Sequence, residues 1–253
     1  MNEMNQEGSF VSHLTELRSR LIKSLVFILI IFLISYVFAE NIYNFLIEPY
    51  SNAVKNDDKA RRLIFTALHE TFITYLKLAF FTAFFIASPI ILIQIWKFIA
   101  PGLYQNEKKA LLPYLIATPV LFLLGGMLVY YLVMPLAIKF FLSFETTSQM
   151  TNLPIELEAK VNEYLSLIMR LIFAFGISFQ LPVLLSLLAR VGFIDSEYLK
   201  KRRKYVVVII FVVAAILTPP DPITQIGLGI PLLILYELSI LSVKIIEKKK
   251  KNA

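Results

Sequence analysis

Residues 98–109 read FIAPGLYQNEKK, and this stretch decides how the rest of the chain is parsed. It joins two long apolar segments, Phe72–Ala100 and Ala110–Ile138. At Pro101-Gly102 a helix cannot continue, because proline has no amide hydrogen to donate and glycine leaves the backbone unrestrained. Each flanking segment exceeds the roughly 20 residues a helix needs to cross a bilayer. The stretch is therefore expected to turn at a membrane surface, with Glu107-Lys108-Lys109 where water meets lipid.

Composition points the same way. Of 253 residues, 58% are hydrophobic and 17% charged, too apolar for an ordinary soluble domain. The fold class expected is an all-α integral membrane protein, a single polytopic domain over residues 1–253 with no extramembrane domain of any size. Six transmembrane helices are expected, at about 21–39, 72–100, 110–138, 164–188, 205–217 and 223–243, a parsing by apolar run length. The chain has no cysteine, which removes disulfides, thiol nucleophiles and thiolate metal sites together. His13 and His69 belong to no HExxH pattern, and no glycine-rich loop precedes a Lys-Ser or Lys-Thr pair, so neither hydrolytic metal nor nucleotide chemistry is supported. No cofactor, no metal and no enzymatic activity are expected. The net charge of +7 sits on residues that flank the spans, without a soluble face of aromatic platforms, so it argues for membrane orientation and not for nucleic acid.

Taken in order, Ser12 is placed to cap a helix whose Leu14, Leu17 and Leu21 share one face, leaving Glu16, Arg18 and Arg20 towards water. Val37-Phe38-Ala39 resembles a signal-peptide cleavage site, but the apolar run Leu21–Ala39 is longer than the ~7–15 residues of such a region, so a retained span is expected. Ile42, Tyr43, Leu46, Ile47 and Tyr50 then mark a helix lying along the interface, which Pro49 would bend or end. Pro89, Pro113, Pro119, Pro135, Pro182 and Pro231 fall inside spans, and each frees a carbonyl, so a proline-kinked, curved bundle is expected. The last pair of spans is short: Tyr205–Leu217 makes about 20 Å of helix against a hydrocarbon core of about 30 Å. Most of the 25 lysines and arginines lie at the N-terminus, at the 98–109 hinge, between Arg190 and Lys204, and in Lys244–Lys251. By the positive-inside bias both termini and the hinge are expected in the cytoplasm.

Three stretches, SHLTELRSRL (12–21), FIAPGLYQNEKK and LTPPDPITQ (217–225), occur in this order on the six-span frame. Together they resemble the TatC family of the twin-arginine protein translocase. The resemblance implies a receptor in the bacterial inner membrane that binds Arg-Arg signal peptides of folded export substrates. It implies assembly with single-span TatA and TatB partners into an oligomeric complex powered by the proton-motive force. The family's signal-binding positions would fall on Glu16, Arg18, Phe98, Pro101 and Glu107. Those of the outer side and bundle would fall on Pro49, Phe72, Pro89, Asp221 and Gln225. One departure stands out: where the family commonly has glutamate in a Gly-x-Ser-Phe-Glu pattern, this chain has Gln180, an amide that can hydrogen-bond but carries no charge.

The chemistry of recognition would be the two-pronged match of carboxylate to guanidinium at Glu16 and Glu107. The plainer alternative is that Glu16 pairs with Arg20 at i,i+4 and Glu107 is solvated beside Lys108. Lys77 and Arg170 lie within snorkelling reach of the outer ends of their spans. Gln180 is near mid-membrane and needs a polar partner. Glu237 could snorkel, face the last hairpin or bind a partner span. An alternative function, a small polytopic secondary transporter, is suggested by these intramembrane polar groups and broken helices, although no internal repeat accompanies them.

Overall fold

The computed structural model describes the backbone of residues 2–55, 61–99, 108–146, 153–218 and 221–251. The side chains of those residues are described apart from 2–14, 96–99, 108–112 and 249–251. Among the described residues the protein is all-α, and its only extended pairings are two isolated bridges, Ile64 with Lys160 and Thr146 with Ile155. Helices run as α1 (Asn2–Val37), α2 (Ala39–Val54), α3 (Glu70–Ile99), α4 (Lys108–Leu128), a π-helical turn (Val129–Val133), α5 (Met134–Leu142), α6 (Val161–Ser178), α7 (Leu181–Val191), α8 (Ser196–Leu217) and α9 (Pro222–Lys251). Among the described residues five stretches are long and apolar enough to cross a bilayer: Thr15–Val37, Glu70–Ile95, Pro113–Leu142, Val161–Val191 and Pro222–Lys248.

Three local features are refined by the structure. The first helix starts at Asn2, so Ser12 lies in its interior and not at its start. Pro49 lies inside α2, which continues to Val54. The apolar run 205–217 belongs to a 22-residue helix whose first two turns are polar. Asp195 caps that helix by accepting from the Tyr198 amide, and its basic turn stays helical. Arg202 lies over the rings of Tyr198 and Tyr205, and Lys204 over Tyr205, an arrangement in which cations and amphipathic rings share a boundary between water and lipid.

The chain folds into two compact units. The first comprises Met1–Glu40 and Tyr75–Pro119. Its core is Ile28 against Ala83 and Ala87, flanked by Phe27, Ile31, Phe32, Phe84 and Ile91. The two alanines let α1 and α3 approach closely, as small residues do between helices in lipid. Leu21, Leu25, Leu29 and Leu33 recur every fourth residue and are all more than half exposed, a stripe suited to hydrocarbon. Glu16 and Arg20, in contrast, turn to Gln94 of α3. Of the polar residues expected to face outwards, Arg18 is exposed, whereas Arg20 reaches across to α3.

The second unit comprises Asn41–Thr74 and Val120–Ala253. Here α9 packs on α7 and α8, and α4 crosses α6 at two glycines. A Cβ on Gly125 would sit 2.8 Å from the Phe175 carbonyl carbon and oxygen, and one on Gly176 would sit 2.6 Å from the Phe122 ring. Gly192, with φ of 89°, closes α7 in the left-handed conformation that glycine adopts without strain.

The crossing gives a measurable expectation. Gly125→Ala should lower stability in detergent by roughly 1–3 kcal/mol, because backbone stands where the methyl must go. Gly227→Ala, whose Cβ would meet only Val133 methyls at 3.5 Å, should be neutral or slightly stabilising. Thermal unfolding of the two variants checks the contrast.

Candidate functional site

The polar cluster of the first unit is built from two helices. On α1, Glu16 and Arg20 are one turn apart, and Arg20 Nε and Nη2 donate to Glu16 Oε1 at 3.0 and 2.6 Å. From the last turns of α3 the Gln94 side-chain carbonyl accepts from Arg20 Nη1 at 2.6 Å. One guanidinium therefore serves a carboxylate and an amide on different helices, using the fork geometry that distinguishes arginine from lysine. Arg18 points outwards and is exposed. The i,i+4 pairing considered from the sequence is present; what the sequence did not indicate is Gln94. The signal available was a lone amide in the apolar run Ile90–Ile95, where a buried polar group requires a partner. Pro101 and Glu107 lie outside the described residues, as does the side chain of Phe98.

In the second unit the connections at one end of the bundle are laced together. Arg61 Nη1 and Nη2 donate to the two Glu145 oxygens, both at 2.6 Å, and the side chains are only 11% and 15% exposed. Glu145 also accepts from the Leu157 amide at 2.7 Å. Ile64 exchanges backbone hydrogen bonds with Ala159 and Val161. Two tyrosines anchor α2: Tyr130 donates to the Phe45 carbonyl and to Glu48 while its ring stacks on Phe45, and Tyr164 donates to the Leu46 carbonyl at 3.0 Å. Burial raises the Tyr50 phenol above its ordinary range, with Arg61 pulling it down and Glu145 pushing it up.

At the other end Glu247 of α9 accepts from the Ser196 amide and hydroxyl, both at 2.6 Å, so α9 caps α8. Tyr236 donates to the Leu199 carbonyl. Glu237 accepts from Arg203 Nη2 at 2.5 Å, with both side chains about half exposed. Among the described residues no cluster of His, Cys, Asp or Glu suited to a metal occurs.

The frame and these motifs can be set beside known proteins. Residues 12–231 match the family model for Sec-independent protein translocase protein (TatC). The chain belongs to the TatC family. It is 47% identical over 248 residues to the Sec-independent protein translocase protein TatC of Magnetococcus marinus, covering 98% of this chain and 88% of that one. The counterpart in Rickettsia prowazekii is also 47% identical, over 94% of each chain, and that of Escherichia coli K12 is 35% identical over 91% and 86%. A crystal structure of a twin-arginine translocase receptor, TatC, superimposes with a TM-score of 0.77 at 39% identity, covering 93% of this chain and 99% of that one. As a TatC-family member the chain is a multi-pass component of a protein translocase, not a member of a catalytic family. That membership replaces the small-transporter alternative.

Among the positions that the TatC resemblance singles out, Asp221 is buried with Thr224, whose amide and hydroxyl it accepts at 2.7 and 2.5 Å, capping α9. Gln225 donates weakly to the Phe211 carbonyl. Pro49 is buried, Phe72 exposed and Pro89 half-buried. Gln180 sits at the junction of α6 and α7, its amide nitrogen 3.4 Å from the Gly176 carbonyl.

Two ion pairs of different burial allow a comparison. Glu145→Ala takes the two-pronged partner from a largely buried guanidinium and should cost roughly 3–5 kcal/mol. Glu237→Ala, at a half-exposed pair, should cost no more than about 1 kcal/mol. Unfolding midpoints in one detergent would test the ranking.

Proposed function

We propose that the chain is the membrane receptor and scaffold of a twin-arginine translocase, a single membrane domain in the inner membrane with both termini in the cytoplasm. The observation that supports this best is the Glu16–Arg20–Gln94 cluster, together with the family to which the chain belongs. Glu16 already holds a guanidinium by two short hydrogen bonds. An arginine of a signal peptide would exchange for Arg20 at that carboxylate, one charge-assisted pair replacing another, while Gln94 keeps the displaced Arg20 hydrogen-bonded. Glu107 would take the second arginine, with Arg18, Phe98 and Pro101 completing the surface, and the signal's apolar stretch would lie against the spans.

TatA-type and TatB-type helices would be recruited along the α8–α9 hairpin. The positions proposed to serve that assembly and the bundle are Pro49, Phe72, Pro89, Gln180, Asp221, Gln225 and Glu237. The assembled oligomer would draw its energy from the proton-motive force.

The test is photocrosslinking of a twin-arginine signal peptide to Glu16→Ala and Glu107→Ala variants in membranes. Each should lose about tenfold in yield, as expected for removal of one charge-assisted pair. Undiminished crosslinking in both would remove the site assignment.

A further inference from the structure

In the second unit a cavity of about 460 Å³ opens between the end of α2, helix α5, residues 157–160 and the first half of α6. Its floor is apolar, with Met134, Ile138 and Leu167 among its residues, while Lys160, Glu163, Arg170 and Glu158 line its polar part, Glu158 being paired with Arg62 at 3.7 Å. Glu163, Leu167 and Arg170 stand at i, i+4 and i+7 and so share one face of α6. Lys160, Glu163 and Arg170 have no ion-pair partner among the described residues. Arg170 belongs to the apolar stretch Val161–Val191, where an arginine is costly unless a counter-charge meets it. Because a helical Cβ tilts towards the helix N-terminus, the Arg170 guanidinium leans towards Glu163 and the bilayer surface at that end. Tyr50 also lines the cavity, and its hydroxyl is buried with no hydrogen-bond partner.

We propose that this cavity holds the head group of a phosphatidylethanolamine molecule from the adjoining leaflet. Its phosphate would be taken by Arg170 and Lys160, its ammonium by Glu163, and its first acyl carbons by the apolar floor. Both signs of charge beside an apolar surface fit a zwitterion better than an anion, since a phosphatidylglycerol phosphate would leave Glu163 facing negative charge. A primary ammonium fits better than choline, because a carboxylate accepts hydrogen bonds that choline cannot donate. The volume lies within the range of small-ligand sites, enough for a head group with the tails left in the bilayer. The site lies outside the Glu16–Arg20–Gln94 cluster, and the proposal does not rest on the signal-peptide reading.

Native mass spectrometry of the full chain in detergent, titrated separately with dioleoyl phosphatidylethanolamine, phosphatidylcholine and phosphatidylglycerol, tests it. Phosphatidylethanolamine should bind about tenfold more tightly than either of the others, the difference made by one charge-assisted contact. Glu163→Gln should remove that preference, whereas Arg170→Gln, which takes away a phosphate contact common to all three lipids, should weaken them together. Leu167→Trp, which fills the floor and leaves the charges in place, should reduce retention of all three lipids. Equal binding of the three lipids by the unmodified chain, tighter binding of phosphatidylglycerol, retention of none, or an unchanged preference in folded Glu163→Gln would each overturn the proposal. The ranking on the unmodified chain decides the matter even where a variant fails to fold.

Discussion

Hydrocarbon offers no hydrogen bonds, so every backbone amide and carbonyl within the spans must be satisfied by the protein itself. This constraint makes the chain helical and makes an intramembrane proline a local problem for its helix. At Pro89 the carbonyl freed is that of Phe85, and the Ser88 hydroxyl donates to it at 2.7 Å. Before Pro135 the helix widens into the π-helical turn Val129–Val133, with Val129, Tyr130 and Val133 buried. Around Pro182 the span divides into α6 and α7, yet Phe179, Gln180 and Leu184 still donate to Phe175, Ile177 and Gln180. The helix is disturbed at each place, and at Pro89 a neighbouring hydroxyl takes up the freed carbonyl.

The same constraint explains why polar side chains gather where they do. The Glu16–Arg20–Gln94 cluster faces inwards on α1 while the leucine stripe faces out, because exposing a guanidinium and a carboxylate to lipid would cost more than packing them on α3. Asp221 and Glu247 satisfy the first amides of α9 and α8 respectively, groups that a helix cannot satisfy within itself. Several positions expected to act on partners thus also have structural work within the chain. Asp221 is the clearest, being buried and committed to Thr224.

Much of this is legible in the residues alone. Run lengths of apolar residues indicate a multi-span helical protein, and five of the six expected runs overlap the long apolar stretches of the described residues. The motifs at 12–21, 98–109 and 217–225 carry the family, and spacing alone offers the Glu16–Arg20 pair. Sequence reasoning fails at Ser12, which lies within α1, and at Pro49 it leaves a bend and an end both open, whereas α2 runs on to Val54. Glu145 reads only as part of an acidic connection, since nothing local distinguishes a carboxylate that meets Arg61 from one that is solvated.

By itself the sequence determined that this is an all-helical membrane protein of the TatC family, with its basic residues apportioned to one set of span ends, since hydropathy and charge act through local composition. Only the tertiary structure decided which polar groups meet. Gln94 with Arg20, Arg61 with Glu145 and Ser196 with Glu247 are separated in sequence by long apolar runs, and the charges at 160–170 meet the apolar residues of α5 only in the fold. Their encounters depend on helix rotation and on close approaches such as that of Gly125 to Phe175, which periodicity does not encode.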